Sequence, residues 1–340
     1  MDLWHDLAEQ YQEFAGQAGD SPTFADWSAQ VALDEPVLAW IRTLPRLKQQ
    51  PNLVFAAARW HGVAAPGPYD GLRAALLDDD GTIRTTILTR STQTNEAGRL
   101  ATLVPALALV QEAEGGRPLS LLEVGASAGL TLLPDRWAYR WRTPHGDVVL
   151  GDGPPLDCLV EGPAPLPRHP VRVAARRGVD LSPLDVADDD AMRWLETLIW
   201  PEHDDRRRIL RTAVELAVAD PPTVVPGDLL SSLPDLVAGA AEHGPVVVQH
   251  SAVIAYLDDD GRAAFQDLIS DLVSRRACHW ISNEAASVLP SVTVSALGRP
   301  TTTSPFVLGL DGRAVAWTHS HGRALEWFGR PGGVAGAPAS

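Results

Sequence analysis

The spacing of apolar residues changes along the chain. Up to about residue 118, apolar side chains recur every three or four positions, as at Leu7, Tyr11 and Phe14, which is typical of amphipathic helices. From about residue 119, short apolar runs alternate with helical patterns. Strands that alternate with helices predict an α/β fold with a mostly parallel sheet.

The strand candidates follow one another through the second part of the chain. They are SLLEV, VRVAARRGVD, PTVVPGD, PVVVQHS and CHWISNEA, and an antiparallel hairpin around Asp311-Gly312 closes the series. A stretch rich in Pro and Gly, at about 131–170, interrupts this series. Within it, residues 137–150 predict a further hairpin.

This pattern predicts three regions. We expect an N-terminal helical region at 1–118, which caps a Rossmann-like domain at 119–330. The inserted hairpin at about 131–170 belongs to that domain. We expect the small and polar tail at 331–340 to be disordered.

Composition and charge narrow the classes of partner. The net charge of −15 and the pI near 5.0 argue against a protein that grips a nucleic acid backbone, so we expect a small-molecule substrate. The first residues lack the basic and apolar regions of a signal peptide, and no apolar run approaches the ~20 residues of a membrane span. We therefore expect a cytoplasmic protein without a membrane anchor.

Metal binding is not indicated by the sequence. The two cysteines, Cys158 and Cys278, form no C-x-x-C pair. His319 and His321 form an H-x-H pair, which alone is a poor metal signal. We expect no metal site.

The stretch LLEVGASAGL fits two motifs with different chemistry. Gly125, Ser127 and Gly129 match G-x-S-x-G, the nucleophile elbow of α/β-hydrolases. Together with Glu123, the same residues match a tight glycine turn that wraps a nucleoside cofactor. A helix that starts behind such a turn favours an anionic group.

The nucleoside interpretation predicts polar residues at the ends of the later strands. The second strand ends at Asp180, which would accept hydrogen bonds from ribose hydroxyls, and the third leads to Asp228 near the adenine. Both acids also fit helix caps. The fourth strand ends in Gln249, His250 and Ser251, which would face the transferred group.

The segment GVDLSPLDV closely resembles the second-strand motif of class I S-adenosylmethionine-dependent methyltransferases, in which Ser-Pro follows the acid and starts a helix. This resemblance covers most of residues 119–328. It implies S-adenosylmethionine as the cofactor, with Glu123 orienting the amine. Two features depart from the pattern: Ser127 replaces the usual middle glycine, and 57 positions separate Glu123 from Asp180, where about 20 are usual.

Three residues are candidates for chemistry on the acceptor. His250 follows three valines, so it leaves a buried strand at the expected cleft, where a neutral imidazole accepts a proton. Glu284 follows another buried strand, and Tyr256 lies between the two. Packing is the alternative role for Tyr256, and a structural role is the alternative for His250.

A polar cluster precedes the last helix of the first region. In TQTNEAGR, Asn95 and Glu96 fit the start of a helix. The functional interpretation is a cap over the site, in which Gln93, Asn95, Glu96 or Arg99 contacts the cofactor carboxylate or the substrate. Arg99 suits a carboxylate because its guanidinium binds in a bidentate manner.

A further resemblance covers nearly the whole chain. The strings TRSTQTNEAGR, LLEVGASAGL, GVDLSPLDV, LIWPEHDDRRRIL, VVPGDLL, HSAVIAYL and HSHGRALEW are similar to those of a bacterial family known as domain of unknown function 2332. This resemblance implies a methyltransferase-like fold and no proven activity.

Three functions follow from these patterns. The leading hypothesis is methyl transfer from S-adenosylmethionine to a small acceptor. The second is a non-catalytic protein of the same fold that binds a nucleotide metabolite. The third is a serine hydrolase, which needs Ser127, then an acid (Asp258 or Asp311), then a histidine (His319 or His321), in that order.

Overall fold

The computed structural model describes residues 6–93, 95–302 and 305–329. The predicted disordered tail at 331–340 lies outside these residues. The chain forms two compact units, one made of Met1–Thr94 with Asp188–Arg208 and the other of Asn95–Ala187 with Ile209–Ser340.

The described residues contain twelve α-helices. These are α1 (Leu7–Gln17), α2 (Pro22–Val31), α3 (Glu35–Arg42), α4 (Pro51–Trp60), α5 (Tyr69–Leu77), α6 (Thr82–Thr89), α7 (Leu100–Ala113), α8 (Asp189–Leu198), α9 (Asp204–Ala219), α10 (Leu229–Ala240), α11 (Asp259–Ser274) and α12 (Pro290–Thr293). The first unit holds α1 to α6, α8 and the first turn of α9.

The core of the first unit is rich in aromatic residues. Phe24, Trp27 and Phe55 are almost fully buried, and the rings of Trp27 and Phe55 meet edge to face with centroids 5.5 Å apart. Trp194 of α8 is buried in the same apolar cluster. Because this side chain needs the helical core to leave water, α8 belongs with the first unit despite its distance along the chain.

Eleven strands of the second unit form one sheet. They are β1 (Leu119–Val124), β2 (Ala138–Thr143), β3 (Gly146–Leu150), β4 (Pro155–Glu161), β5 (Val173–Asp180), β6 (Thr223–Pro226), β7 (Val246–Ser251), β8 (His279–Ala285), β9 (Pro305–Leu310), β10 (Arg313–His319) and β11 (Ala324–Trp327). Their order in the sheet is β3-β2-β4-β11-β10-β9-β8-β7-β1-β5-β6.

Five neighbouring parallel strands, β6-β5-β1-β7-β8, carry the candidate residues. The strand order reverses between β1 and β7, because the chain builds outward through β5 and β6 and then returns to the other side of β1. In open α/β sheets, ligands bind at the carboxyl edge of such a reversal. Glu123 of β1 is in register with Gln249 of β7, so both side chains lie on one face at this edge.

The mixed α/β fold and the mostly parallel sheet were predictable from the sequence pattern. The hairpin over 137–150 is confirmed as β2 and β3, and the closing hairpin as β9 and β10. Strands β4 and β11 were not predicted, and both join the hairpin insertion to the rest of the sheet.

Helix α7 belongs to the second unit, not to the helical region predicted at 1–118. It packs on β4 and β8, and the indole N–H of Trp141 donates to the carbonyl of Ala101 at 2.8 Å. Its buried side chains occupy nearly every position of its first two turns, because the sheet and its surroundings cover it on several sides. Among the described helices, none is both long and apolar enough to cross a bilayer.

Candidate functional site

The chain turns sharply after β1. Gly125, Ser127 and Gly129 have φ values of +67°, +52° and +71°, and the left-handed conformation at Ser127 is uncommon for a residue with a Cβ. The backbone N–H of Ser127 donates to Asp180 Oδ2 at 2.8 Å. A glycine turn therefore does follow β1, and the carboxylate of Asp180, at the end of β5, holds the middle of the turn.

The protein's own packing requires the two glycines. A Cβ on Gly125 would lie 2.5 Å from the side chain of Val253, and a Cβ on Gly129 would lie 2.6 Å from that of Pro222. The turn leads into a short 3₁₀ helix, Leu130–Leu132, and not into the expected α-helix. A helix dipole is therefore absent directly behind the described turn, because the buried 3₁₀ segment runs on to Pro134 and the β2 hairpin.

Asn95 braces the turn from the other side. Its Nδ2 donates to the carbonyl of Ala126 at 2.6 Å, and its Oδ1 accepts the N–H of Leu130 at 2.9 Å. One amide side chain thus ties the two halves of the turn together. The predicted contact of Asn95 with a ligand stays a prediction, and bracing the turn is a role that the sequence did not indicate.

Asp180 and Asp228 also serve the backbone. Asp180 accepts a second N–H, from Ser182 at 2.8 Å on Oδ1, so each of its oxygens keeps one lone pair for a further donor. Asp228 caps α10 by accepting the N–H of Ser231 at 3.0 Å. The cap that was the alternative for Asp228 is therefore present, and the ribose and adenine contacts stay predictions.

A buried polar cluster lies at the strand-order reversal. Thr131 connects its parts: its hydroxyl donates to Glu123 Oε1, and its carbonyl accepts from Gln249 Nε2 at 3.2 Å. The other oxygens, Glu123 Oε2 and Gln249 Oε1, are buried and accept no hydrogen bond within the described protein. Buried acceptors without a donor call for an explanation, and a donor group of a bound ligand would satisfy both of them.

Burial raises the pKa of Glu123 to about 8. The hydrogen bond from Thr131 and the positive charge of Arg99 act in the opposite direction, and the carboxylate of Asp180 adds to the rise. The desolvation of the carboxylate outweighs the two favourable contacts. Glu123 is therefore protonated at neutral pH unless a cation binds beside it.

Arg99 connects two distant segments under the same edge. Its side chain is 3% exposed, Nε donates to the carbonyl of Ser320 at 2.7 Å, and Nη1 donates to the carbonyl of Ser251 at 3.0 Å. Close by in sequence, Glu96 lies 3.6 Å from the Nδ1 of His321. The structure thus joins two of the predicted cap residues, Glu96 and Arg99, to the end of β7 and to the segment that follows β10.

His250 points away from this cluster. Its Nδ1 lies 2.7 Å from Glu284 Oε1, and its Nε2 accepts the indole N–H of Trp280 at 2.9 Å. These partners set the tautomer with the proton on Nδ1. Both ring nitrogens are occupied and the side chain is fully buried, so this geometry does not favour the predicted role as a general base.

The other two candidates for chemistry have different surroundings. Glu284 is 2% exposed, and its Oε1 also accepts the N–H groups of Val253 and Ile254 at 2.9 and 3.2 Å. It therefore orients His250 and the loop after β7. Tyr256 is 61% exposed in a 3₁₀ helix that follows β7. Gln93 belongs to the first unit, so its predicted contact with the site stays a prediction.

Two buried polar residues were missed by the sequence analysis, Thr131 of the cluster and Asn283 beside Ser251. Thr131 lies in an apolar run, and no pattern marks it. Asn283 lies inside the predicted strand CHWISNEA, and its Nδ2 donates to the hydroxyl of Ser251 at 3.0 Å. Its Oδ1 accepts the hydroxyl of Thr318 at 2.7 Å. A fully buried asparagine in a strand is itself a signal, but only the neighbouring strands show its partners.

The hydrolase interpretation finds its acids in other roles. Asp258 caps α11 by accepting the N–H of Gly261 at 2.8 Å. Asp311 accepts from the N–H of Trp280 and lies 3.0 Å from the Nδ1 of His279, at the amino end of β8. Ser127 lies at the carboxyl end of β1, the opposite edge of the sheet. In the part of the chain that the structure describes, no group of three or more His, Cys, Asp or Glu residues is arranged to hold a metal ion.

Comparison with known proteins identifies one family. A family model described as "uncharacterized protein conserved in bacteria (DUF2332)" matches residues 8–327, which covers most of both units. No curated protein matches the sequence.

Proposed function

The chain belongs to the bacterial family of domain of unknown function 2332, and from the site of its second unit we propose that it binds S-adenosylmethionine and transfers the methyl group to a small acceptor. The observation that carries the proposal is the pair of buried oxygens without donors, Glu123 Oε2 and Gln249 Oε1, at the strand-order reversal. An ammonium group would donate hydrogen bonds to both oxygens, because it has three N–H donors. Its positive charge would also pair with the carboxylate of Glu123.

The order of the parallel strands supports the proposal. With the strands numbered in the order β1, β5, β6, β7, β8, their arrangement reads 3-2-1-4-5, which is the order in the doubly wound nucleotide-binding folds. In those folds the ligand lies across the carboxyl ends of the first and fourth strands. Glu123 and Gln249 occupy the corresponding ends of β1 and β7.

The remaining parts of the ligand have candidate partners along the same edge. Asp180 lies on the next strand and keeps one lone pair on each oxygen for ribose hydroxyls. Asp228 follows the strand beyond it, where we propose the adenine to lie. The bound sulfonium compound supplies an electrophilic methyl group, and the residues of the chain hold it in place.

Chemistry on the acceptor follows from positioning. Both nitrogens of His250 are engaged by Glu284 and Trp280, so no imidazole base enters the proposal. Methyl transfer depends largely on aligning the nucleophile with the methyl carbon and the sulfur. An acceptor that is nucleophilic without losing a proton first, such as a neutral amine or a thiolate, therefore suits this site best.

Titration calorimetry with the full-length protein tests the proposal. We expect S-adenosylmethionine and its demethylated product to bind, because both carry the amine. In Glu123→Gln, which keeps the shape and removes the charge, binding weakens by about 10- to 100-fold, the cost of one charged hydrogen bond. A matched control is Asp311→Asn, which makes the same change at the opposite edge of the sheet and leaves binding unchanged.

Proton release on binding gives a second measurement of the same contact. Since Glu123 carries a proton at pH 7 in the free protein, pairing with an ammonium group releases close to one proton per ligand. Calorimetry in two buffers of different ionisation enthalpy counts this proton. If neither compound binds the folded protein, or if Glu123→Gln binds as tightly as the wild type, the proposal is wrong.

A second candidate function is ligand binding without catalysis. It is favoured by the glycine turn, in which the N–H groups of Ser127 and Leu130 already donate to Asp180 and Asn95, and by the missing α-helix behind the turn. A turn held in this way leaves fewer donors for a cofactor carboxylate. Binding of S-adenosylmethionine without turnover on panels of amine, thiol and hydroxyl acceptors would support this second function.

A further inference from the structure

The first unit contains a cleft that the proposed function does not use. Its volume is about 370 Å³, and it lies among α4, α8 and the segment that leads into α9. The side chains that line it include those of Arg59, Trp60, Arg193, Glu196, Pro201 and Arg207. Pro201 and Arg207 come from LIWPEHDDRRRIL, the string that the site of the second unit leaves without a role.

Arg59 lies on the α4 side of this cleft and is held rigidly. Its Nη1 donates to the carbonyls of Thr197 and Ile199, at 2.7 and 2.8 Å, at the end of α8. Among the described residues, no hydrogen bond is found for its Nη2 or Nε. The guanidinium is thus fixed through Nη1, and its N–H donors on Nη2 and Nε have no acceptor among the described residues.

Arg207 brings a second fixed positive charge. Its Nη1 donates to the carbonyl of Trp200 at 3.0 Å, its Nη2 donates to that of Pro201 at 2.6 Å, and Asp204 pairs with it. Burial and the repulsion from Arg207 lower the pKa of Arg59 to about 10, although Glu202 opposes this shift. Asp204 already balances the charge of Arg207, so Arg59 is the guanidinium on this side of the cleft whose charge a bound anion would balance.

Arg193 supplies the exposed donor of the cleft. Its guanidinium lies over the ring of Trp60 at 4.7 Å, and within the described residues it makes no hydrogen bond or ion pair. Arg90 lies over the same ring at 4.5 Å, but its charge is paired with Asp190. The aromatic contact holds Arg193 at the rim of the cleft and uses none of its five N–H donors.

We propose that this cleft binds the phosphate group of a small molecule. Three arginines and one carboxylate, Glu196, line it, in a chain whose net charge is −15. Asp204 balances the charge of Arg207, so Arg59 and Arg193 supply the positive charge that an anion would meet. The three guanidiniums come from different segments, so their donors reach an anion from several directions. A phosphate offers three peripheral oxygens and more negative charge than a carboxylate, which has only two oxygens in one plane.

Calorimetric titration of the full-length protein with inorganic phosphate at low ionic strength tests the proposal. We expect phosphate to bind, and Arg193→Gln to weaken binding by at least about fivefold, as for the loss of one charge-assisted pair. Arg193→Lys keeps the charge and loses the planar donor fork, so we expect its phosphate affinity to lie between those of the wild type and Arg193→Gln. Circular dichroism verifies that the variants are folded.

The matched control is Arg42→Gln, which removes one exposed positive charge of the same unit outside the cleft. Arg42 pairs with Glu35 on the surface, so its loss leaves the phosphate affinity within about twofold of the wild type. The proposal is overturned if phosphate does not bind, if Arg193→Gln binds as the wild type does, or if succinate binds and phosphate does not. Glu123→Gln separates the two proposals, because it leaves phosphate binding intact.

Discussion

Glu123 has one oxygen that is satisfied inside the protein and one that is not. Thr131 donates to Oε1, whereas Oε2 is buried without a donor. An ionised carboxylate is costly to bury unless it is paired, so the free protein stabilises the protonated form. Ionising Glu123 in the folded protein therefore costs free energy, and a bound cation would lower that cost.

This cost predicts how stability depends on pH. In the folded protein the pKa of Glu123 is about 8, whereas an unfolded glutamate titrates near 4.5. Between these values the folded state binds one proton more than the unfolded state, so the contribution of Glu123 falls as pH rises, by up to about 1.4 kcal/mol per pH unit. Below the lower value the contribution is fully present, and it is lost as pH rises through about 8.

Urea unfolding at several pH values between about 5 and 8 measures this slope. In Glu123→Gln the corresponding slope is absent, so the difference in free energy of unfolding between wild type and variant changes steadily across the range. Stability curves that run parallel for the two proteins would contradict the raised pKa.

At the scale of elements, two segments far apart in sequence interlock beside the site. The turn between β10 and β11 lies against the 3₁₀ helix Ala97–Arg99, and Arg99 donates to the carbonyl of Ser320 in that turn. A Cβ on Gly322 would lie 2.1 Å from the carbonyl oxygen of Gly98. Backbone thus packs directly on backbone, which holds the guanidinium of Arg99 in place.

Alanine substitution at two glycines distinguishes the cost of this close backbone contact from the cost of a left-handed backbone conformation. Gly322 and Gly298 have φ values of +78° and +70°, but an added Cβ on Gly298 would have no atom within 4 Å. Gly298→Ala therefore costs about 1 kcal/mol, from the left-handed conformation alone. Gly322→Ala costs about 3 kcal/mol or more, because backbone must move as well. Chemical unfolding measures the free energy of unfolding of both variants. Equal decreases would show that the close backbone contact at Gly322 does not stabilise the protein.

At the scale of the whole molecule, each unit has its own apolar core and its own candidate ligand site. The sheet unit carries the Glu123 cluster, and the helical unit carries the arginine cleft. The two sites differ in chemistry: a carboxyl group with one oxygen that lacks a donor lies at the first, and guanidiniums lie at the second. They are therefore expected to select different ligands, a cationic amine and a phosphate.

Hydrogen exchange measured by mass spectrometry tests this division. We expect S-adenosylmethionine to slow exchange at the ends of β1 and β7, and phosphate to slow it in α4 and around residues 197–207, because a ligand raises the free energy of local opening where it binds. Protection of the helical segments by S-adenosylmethionine, with none at β1 or β7, would contradict the assignment of the sites.

The amino-acid sequence by itself determined most elements, because their signals are local. Apolar period, helix caps and turn residues marked α8, α10, α11 and the five parallel strands, and the glycine turn after SLLEV. The sequence also brought Glu123, Asp180 and Gln249 to strand ends, where a parallel sheet gathers them at one edge. The sequence did not indicate that α7 belongs to the unit with the sheet, since a helix pattern does not reveal which core covers it.

Only the tertiary structure decided what those side chains do there. The hydrogen bonds that define the roles join residues far apart: Arg99 meets Ser320 across 221 positions, and Asn95 meets Leu130 across 35. His250 follows Gln249 by one position, yet the alternation of a strand sends it to the other face, where Trp280 and Glu284 occupy it. Such partners depend on which strands become neighbours, and that is a property of the folded sheet.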